Sequence, residues 1–119
     1  MYEKSSMSNT PSYIEIGSKD AKTTSTFFAE VFDWKYSKMG EDNGWFQTPT
    51  IRAGLHGNDP NPQMYVFFAV PDLRRAIEMV RSAGGQAEEP GPEEPGFGVF
   101  SNCQDPTGLV FGLHEVPSN

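Results

Sequence analysis

Few side chains in this sequence can move a proton near neutrality: it carries two histidines, His56 and His114, and one cysteine, Cys103. An imidazole titrates close to neutral pH, and a nearby carboxylate both raises its pKa and orients its ring. Glu15 with His56 or His114 would therefore make an acid–base pair that needs no metal. Arg52, close before His56, would join that group or simply form an ion pair with Glu15 between neighbouring strands. A plainer role competes, because both histidines fall at strand ends beside loops, where a solvated ring is common. Cys103 has no lysine or arginine near it in sequence to stabilise a thiolate, which marks it as a small buried filler.

Aromatic side chains supply the other chemistry. Tyr13, Trp45, Tyr65 and Phe67 offer faces for stacking a planar ligand or holding a cation. Ordinary core filling competes with that role, least for Tyr13 and Tyr65. Trp34 and Phe27 are expected to be helix-side packing. Phe97 follows a proline-rich segment, and the stretch 90–98 reads either as a mobile rim over a pocket or as a solvated connector.

The elements that position these residues occur in a repeated order. Residues 13–17 alternate as a half-buried strand, with Ile14 and Ile16 toward a core and Tyr13, Glu15 and Gly17 the other way. Asp20 caps a helix whose apolar side is expected to hold Ala21, Thr24, Phe27, Phe28, Val31 and Phe32. Three short antiparallel strands follow at 34–37, 45–48 and 51–56. After the polar hinge 57–62 the order begins again: a strand at 65–70, a helix capped by Asp72 and stopped at Gly84-Gly85, then strands at 86–89, 97–103 and 109–114. Asp105-Pro106-Thr107-Gly108 is a tight turn. Tyr13 stands seven residues before Asp20 and Tyr65 seven before Asp72, while Gly54 and Gly112 occupy matching places in the two last strands.

Composition narrows the classes. The 119 residues, 36% hydrophobic and 13% aromatic, suit one small domain with a real core. A net charge of −7 with scattered lysine and arginine disfavours nucleic acid as a partner. Residues 1–11 are polar and read as a loose tail, neither secretory signal nor membrane span. A single cysteine permits no internal disulfide and points to a reducing, cytoplasmic setting.

The helix from Asp20 to Trp34 with its Phe27-Phe28 pair, the helix ending in Ala83-Gly84-Gly85, and the closing run from Asp105 to Gly112 stand in a familiar order. In these pieces the chain resembles the vicinal oxygen chelate superfamily, whose members include glyoxalase I, extradiol dioxygenases, methylmalonyl-CoA epimerase and bleomycin-binding proteins. The resemblance implies an α+β fold of two βαβββ modules, about 12–57 and 63–116, in a domain spanning 12–116 with residues 117–119 as a second tail. It also implies a cupped pocket, often completed in a homodimer.

Family enzymes bind a divalent metal through His, Gln or Glu on the first and last strands of each module. Those positions carry Tyr13, Gly54, Tyr65 and Gly112 here, so no metal cofactor is expected at them. What the resemblance then leaves is a metal-independent binder of a small molecule, similar to proteins that sequester an antibiotic or toxic metabolite. Its ligand-binding residues would be Tyr13, Trp45, Arg52, Gly54, Tyr65, Phe67, Phe97 and Gly112. The alternatives are a metal-free lyase or isomerase using Glu15 with a histidine, an atypical metal site built from His56, His114 and Glu15, and an interaction domain with a filled cup.

Overall fold

The computed structural model describes residues 8–117; residues 1–7 of the expected N-terminal tail and 118–119 of the C-terminal one lie outside the described residues. Two compact units divide the chain, Tyr13–Tyr65 and a second that runs from Val66 onward and takes in the residues up to Ser12.

In the first module the order is β1 (Pro11–Gly17), α1 (Ala21–Phe32), β2 (Lys35–Lys38), β3 (Asn43–Gln47) and β4 (Arg52–His56). β4 runs parallel to β1, with Tyr13 opposite Arg52 and Gly17 opposite His56; β3 is antiparallel to β4, and β2 to β3. Period-two alternation sends Ile16, Phe46, Ala53 and Leu55 to one face, where they form a core with Ala21. Phe46 is wholly buried and touched by the rings of Phe28, Trp34 and Tyr36. α1 starts where the Asp20 carboxylate accepts the Lys22 N–H and the Thr23 hydroxyl. It ends at Asp33, whose N–H still donates to the Ala29 carbonyl while its left-handed φ of 58° turns the following chain out of the helix.

The apolar side expected for α1 is only partly buried. Ala21 and Ser25 are inside and Phe28 packs on the core, but Phe27, Val31 and Phe32 are 58%, 54% and 52% exposed. At 3.6 residues per turn Phe27 lies about 100° round the helix from Phe28, off the side that faces the sheet. Phe27 is thus not the packing residue expected, whereas Trp34 is one, stacking on Phe32 and contacting Phe28.

The second module repeats the order with β5 (Gln63–Ala69), α2 (Leu73–Ser82), β6 (Gln86–Ala87), β7 (Val99–Gln104) and β8 (Val110–Glu115). β5 and β8 are parallel, with Phe67 opposite Gly112 and Ala69 opposite His114, and β7 is antiparallel to both β8 and β6. Val70, Leu73, Ile77, Cys103 and Leu113 form its core. Burial pushes the Cys103 thiol's pKa up, as suits a filler. Asp72 caps α2 by accepting the Arg75 N–H, and the Glu115 carboxylate accepts that of Leu73. The chain is therefore an α+β fold of tandem βαβββ modules.

Several strand boundaries differ from expectation by one or two residues. β7 starts at Val99 rather than residue 97, because Gly96 and Gly98 have φ of 81° and 110°, outside the strand region. The rim 90–98 is tied down: Gly91 N–H donates to the Phe100 carbonyl, and Glu94 and Gly98 exchange backbone bonds. β1 begins at Pro11 rather than residue 13, and Asn9 and Thr10 share backbone bonds with Ala69.

Candidate functional site

The face of the first unit turned away from its core carries alternate residues of three strands: Tyr13 and Glu15 from β1, Arg52, Gly54 and His56 from β4, and Trp45 from β3. Gly54 sits at the centre, opposite Glu15 on one side and Trp45 on the other. A methyl group there would run into the Tyr13 hydroxyl and the Glu15 carboxylate, which together cover the glycine. The Tyr13 hydroxyl leans on Glu15 Oε1 at 3.4 Å, and the Arg52 guanidinium lies 5.0 Å from the centre of the Trp45 ring.

His56 is the charged centre of this face. Its Nδ1 is 2.7 Å from Glu15 Oε2 and its Nε2 is 3.0 Å from Asp59 Oδ2. An ionised carboxylate only accepts, so both ring nitrogens donate and the ring is an imidazolium. Its pKa is raised, chiefly by the bond to Glu15; burial opposes this, and the bond to Asp59 adds to the rise. Asp59 is itself held low by the backbone N–H of Asn61 and by His56. Sequence reasoning missed Asp59; its signal was a carboxylate three residues after a histidine at the mouth of a hinge loop.

The other histidine has different company. His114 is 1% exposed, stacked on Phe100 with centroids 4.3 Å apart. Its Nε2 must donate to the Phe97 carbonyl, and in the neutral ring Nδ1 then accepts from the buried Ser12 hydroxyl at 2.8 Å. Burial lowers its pKa, against the bond to the Phe97 carbonyl, and so favours the neutral ring. The structure thus joins Glu15 to His56, while His114 is engaged within the other unit. Ser12 and Phe100 were missed, Ser12 because it stands before the alternation that marks β1. Phe67 lies over Gly112, filling the space a side chain there would need, and packs edge-on against Phe100. The Tyr65 hydroxyl accepts from the Gln63 amide at 2.6 Å. Phe97 contributes its carbonyl to His114.

The four positions where the resemblance implies ligands do not fit a divalent ion. Gly54 and Gly112 have no side-chain donor, each is covered by another side chain, and a phenol is a poor ligand at neutral pH. Glu15, His56 and Asp59 do not replace them, because the two carboxylates grip opposite edges of the imidazole and no single point faces all three. Among the described residues no group of three or more His, Cys, Asp or Glu is placed to hold a metal ion. A hollow of about 540 Å³ opens elsewhere in the first unit, beside α1, lined by Ile16, Thr24, Phe28 and Met64 among others, and none of the eight expected binding residues borders it.

A family model described as Glyoxalase/Bleomycin resistance protein/Dioxygenase superfamily matches residues 10–113. Among solved structures, a hypothetical protein from Bacillus halodurans C-125 superposes with a TM-score of 0.76 at 15% identity, covering 94% of this chain and 97% of its own. Methylmalonyl-CoA epimerase from Mycobacterium tuberculosis gives 0.73 at 13% identity, over 99% and 94%. An H200N variant of homoprotocatechuate 2,3-dioxygenase from B. fuscum gives 0.76 at 17% identity, over 94% of this chain but only 33% of the dioxygenase. Identities this low speak for fold alone. No curated protein matches the chain. The family match spans both modules and agrees with the strand order found in each, so the chain belongs to the glyoxalase/bleomycin resistance protein/dioxygenase superfamily, as a member whose usual ligand positions hold no metal-binding set.

Proposed function

We propose that this protein binds an organic small molecule without a metal, on the face carrying Tyr13, Glu15, Trp45, Arg52, Gly54 and His56, and that it does so as a cytoplasmic homodimer. The observation that carries the reading is the crowding of Gly54: a phenol and a carboxylate stand where a metal's ligands would, next to a tryptophan with a cation over it. The edges of these rings and the paired charges suit a flat, partly polar molecule that is held rather than activated. Sequestration of an antibiotic or toxic metabolite is the role this supports.

A Trp34→Phe variant leaves Trp45 as the sole tryptophan, so its fluorescence reports on this face. Titration with a panel of planar and cationic compounds is expected to give a saturable change that survives a chelator and is lost in an Arg52→Ala derivative of that variant. No saturable change at high micromolar concentration, or binding abolished by the chelator, overturns the reading.

A second reading rests on the 2.7 Å bond between Glu15 and His56, which is the geometry of an acid–base pair. In a metal-free lyase or isomerase the imidazolium would supply a proton while Glu15 holds it in place. Unchanged turnover of an identified substrate in Glu15→Gln and His56→Asn variants would rule this out.

A further inference from the structure

We propose that His56 and Asp59 form a proton-operated latch: the imidazolium pins the connector 57–62 beside the end of β1, and loss of its proton lets Asp59 go.

All the parts lie within the unit Tyr13–Tyr65. The connector runs beside the segment that leads into α1, where the Asp59 N–H donates to the Ser18 carbonyl at 2.9 Å and the Asn58 N–H to that of Lys19 at 3.1 Å. The Asp59 carboxylate works in two directions. Its Oδ1 accepts the Asn61 N–H at 2.9 Å, and its Oδ2 accepts from His56 Nε2 at 3.0 Å. His56 Nδ1 meanwhile donates to Glu15 Oε2 at 2.7 Å. Gly17, opposite His56 in the β1–β4 register, leaves the room for this: a methyl group there would run into both His56 Nε2 and Asp59 Oδ2.

The number of ring protons makes the arrangement a switch. An imidazolium has two N–H donors and serves both carboxylates; a neutral ring has one, and turns a lone pair toward the carboxylate it does not serve. Glu15 keeps its bond, because that bond is the shorter and because β1 is paired residue for residue with the strand of His56. Asp59, on a loop, is then left facing a lone pair and moves off, taking with it the acceptor of the Asn61 N–H. The other groups around the ring do not replace it. Asn43, opposite His56 on β3, does not titrate, Tyr13 meets Glu15 rather than the ring, and Arg52 lies over Trp45. Asp42 accepts from the Asn58 amide, Asp20 caps α1, and Lys19 meets the connector through its backbone carbonyl. The latch is closed from the lowered range in which Asp59 ionises up to the raised pKa of His56, and opens as pH rises through the latter.

NMR of the full chain tests this, with the His56 ring signals followed beside the exchange of the Asp59 and Asn61 amides, each rate corrected for its intrinsic pH dependence. In wild type, protection of both amides is expected to fall several-fold as pH rises through the His56 midpoint. A nearby charge alone would act in the opposite direction, since a cation speeds hydroxide-catalysed exchange. Asp59→Asn should reverse the response, because its amide oxygen can keep the Asn61 N–H while its NH2 donates to the neutral ring; protection then rises with pH. Gly17→Ala meets only the far ends of His56 and Asp59, so the fold is kept while the latch stays open. Protection in that variant should be low at every pH, with the His56 midpoint still held above 6.5 by Glu15. Wild-type protection that does not fall across the His56 midpoint overturns the latch. A wild-type response in either variant overturns it as well, since each removes a part that the latch needs.

Discussion

His56 and His114 occupy the same place in the two modules, two residues after a covered glycine and at the end of the strand parallel to the module's first. One is a charged ring between two carboxylates, 41% exposed at its side chain; the other is neutral and buried. The strand neighbour explains the divergence. Opposite Gly54 stands Glu15, and opposite Gly112 stands Phe67. A carboxylate at that register position recruits a proton to the histidine, whereas a ring there closes the face and leaves the histidine to the backbone and a serine. One fold therefore produces a polar face in one module and an aromatic core extension in the other by exchanging a single residue type.

The largest effect expected from breaking this contrast is on stability. His114→Ala removes a buried ring, its stack on Phe100 and the acceptor of the Ser12 hydroxyl, and should cost about 3 kcal/mol. His56→Ala, at an exposed ion pair, should cost less than about 1 kcal/mol. Chemical denaturation of the two variants checks the difference; equal losses would mean that the modules are not distinguished as argued.

Next in size are the covered glycines. Gly112→Ala would force its methyl group into the Phe67 ring, which Phe100 holds edge-on at 5.4 Å, and should cost about 1–3 kcal/mol. At Gly54 the same change meets only the far ends of Tyr13 and Glu15, which can swing aside, so stability should fall by under about 1 kcal/mol. Its effect should show instead in ligand binding and in His56, whose bond to Glu15 would be disturbed.

The pH responses of the two modules run in opposite directions. His56 has a folded pKa above the ordinary 6.5, so its contribution to stability is complete below that value and is lost as pH rises through the raised one. His114 has a folded pKa below 6.5, so its contribution is present above the ordinary value and is lost as pH falls through the lowered one. NMR titration of the two ring signals should show midpoints on either side of the ordinary value, and Glu15→Gln should bring that of His56 down while leaving His114 unmoved. A single shared midpoint would remove the contrast.

Much of this architecture was legible in the sequence. The matched spacing of Tyr13 to Asp20 and Tyr65 to Asp72 announced two modules, and both caps form as read. Alternation in β1 placed Ile16 in the core and Glu15 opposite, and Glu15 with His56 was among the pairings that the residues allowed. The choice between His56 and His114 was not readable, because it depends on which side chains the register sets beside each ring, and Ser12 and Phe97 are far from His114 in sequence. The exposed side of α1 was misjudged for a related reason: apolar residues at 27, 28, 31 and 32 cover too wide an arc for one helix to bury, and only tertiary packing selects which of them stay outside.

The smallest expected effect concerns the residues flanking Gly54. Arg52 lies over the Trp45 ring in the first module, while the same register positions of the second hold Val110 and Asn102, with no cation and no aromatic face. A cation–π contact between half-buried side chains contributes about 1 kcal/mol, so Arg52→Leu should lower stability by about that much. Binding provides the sharper measurement, because a guanidinium held against an indole fixes both the charge and the ring that a flat ligand would meet. Arg52→Lys keeps the charge but not the planar stack, and is expected to bind a planar ligand several-fold more weakly than wild type while denaturing almost identically. Equal affinity of the lysine variant and wild type would show that only charge matters at this face, and the contrast between the two modules would then reduce to Glu15 and His56.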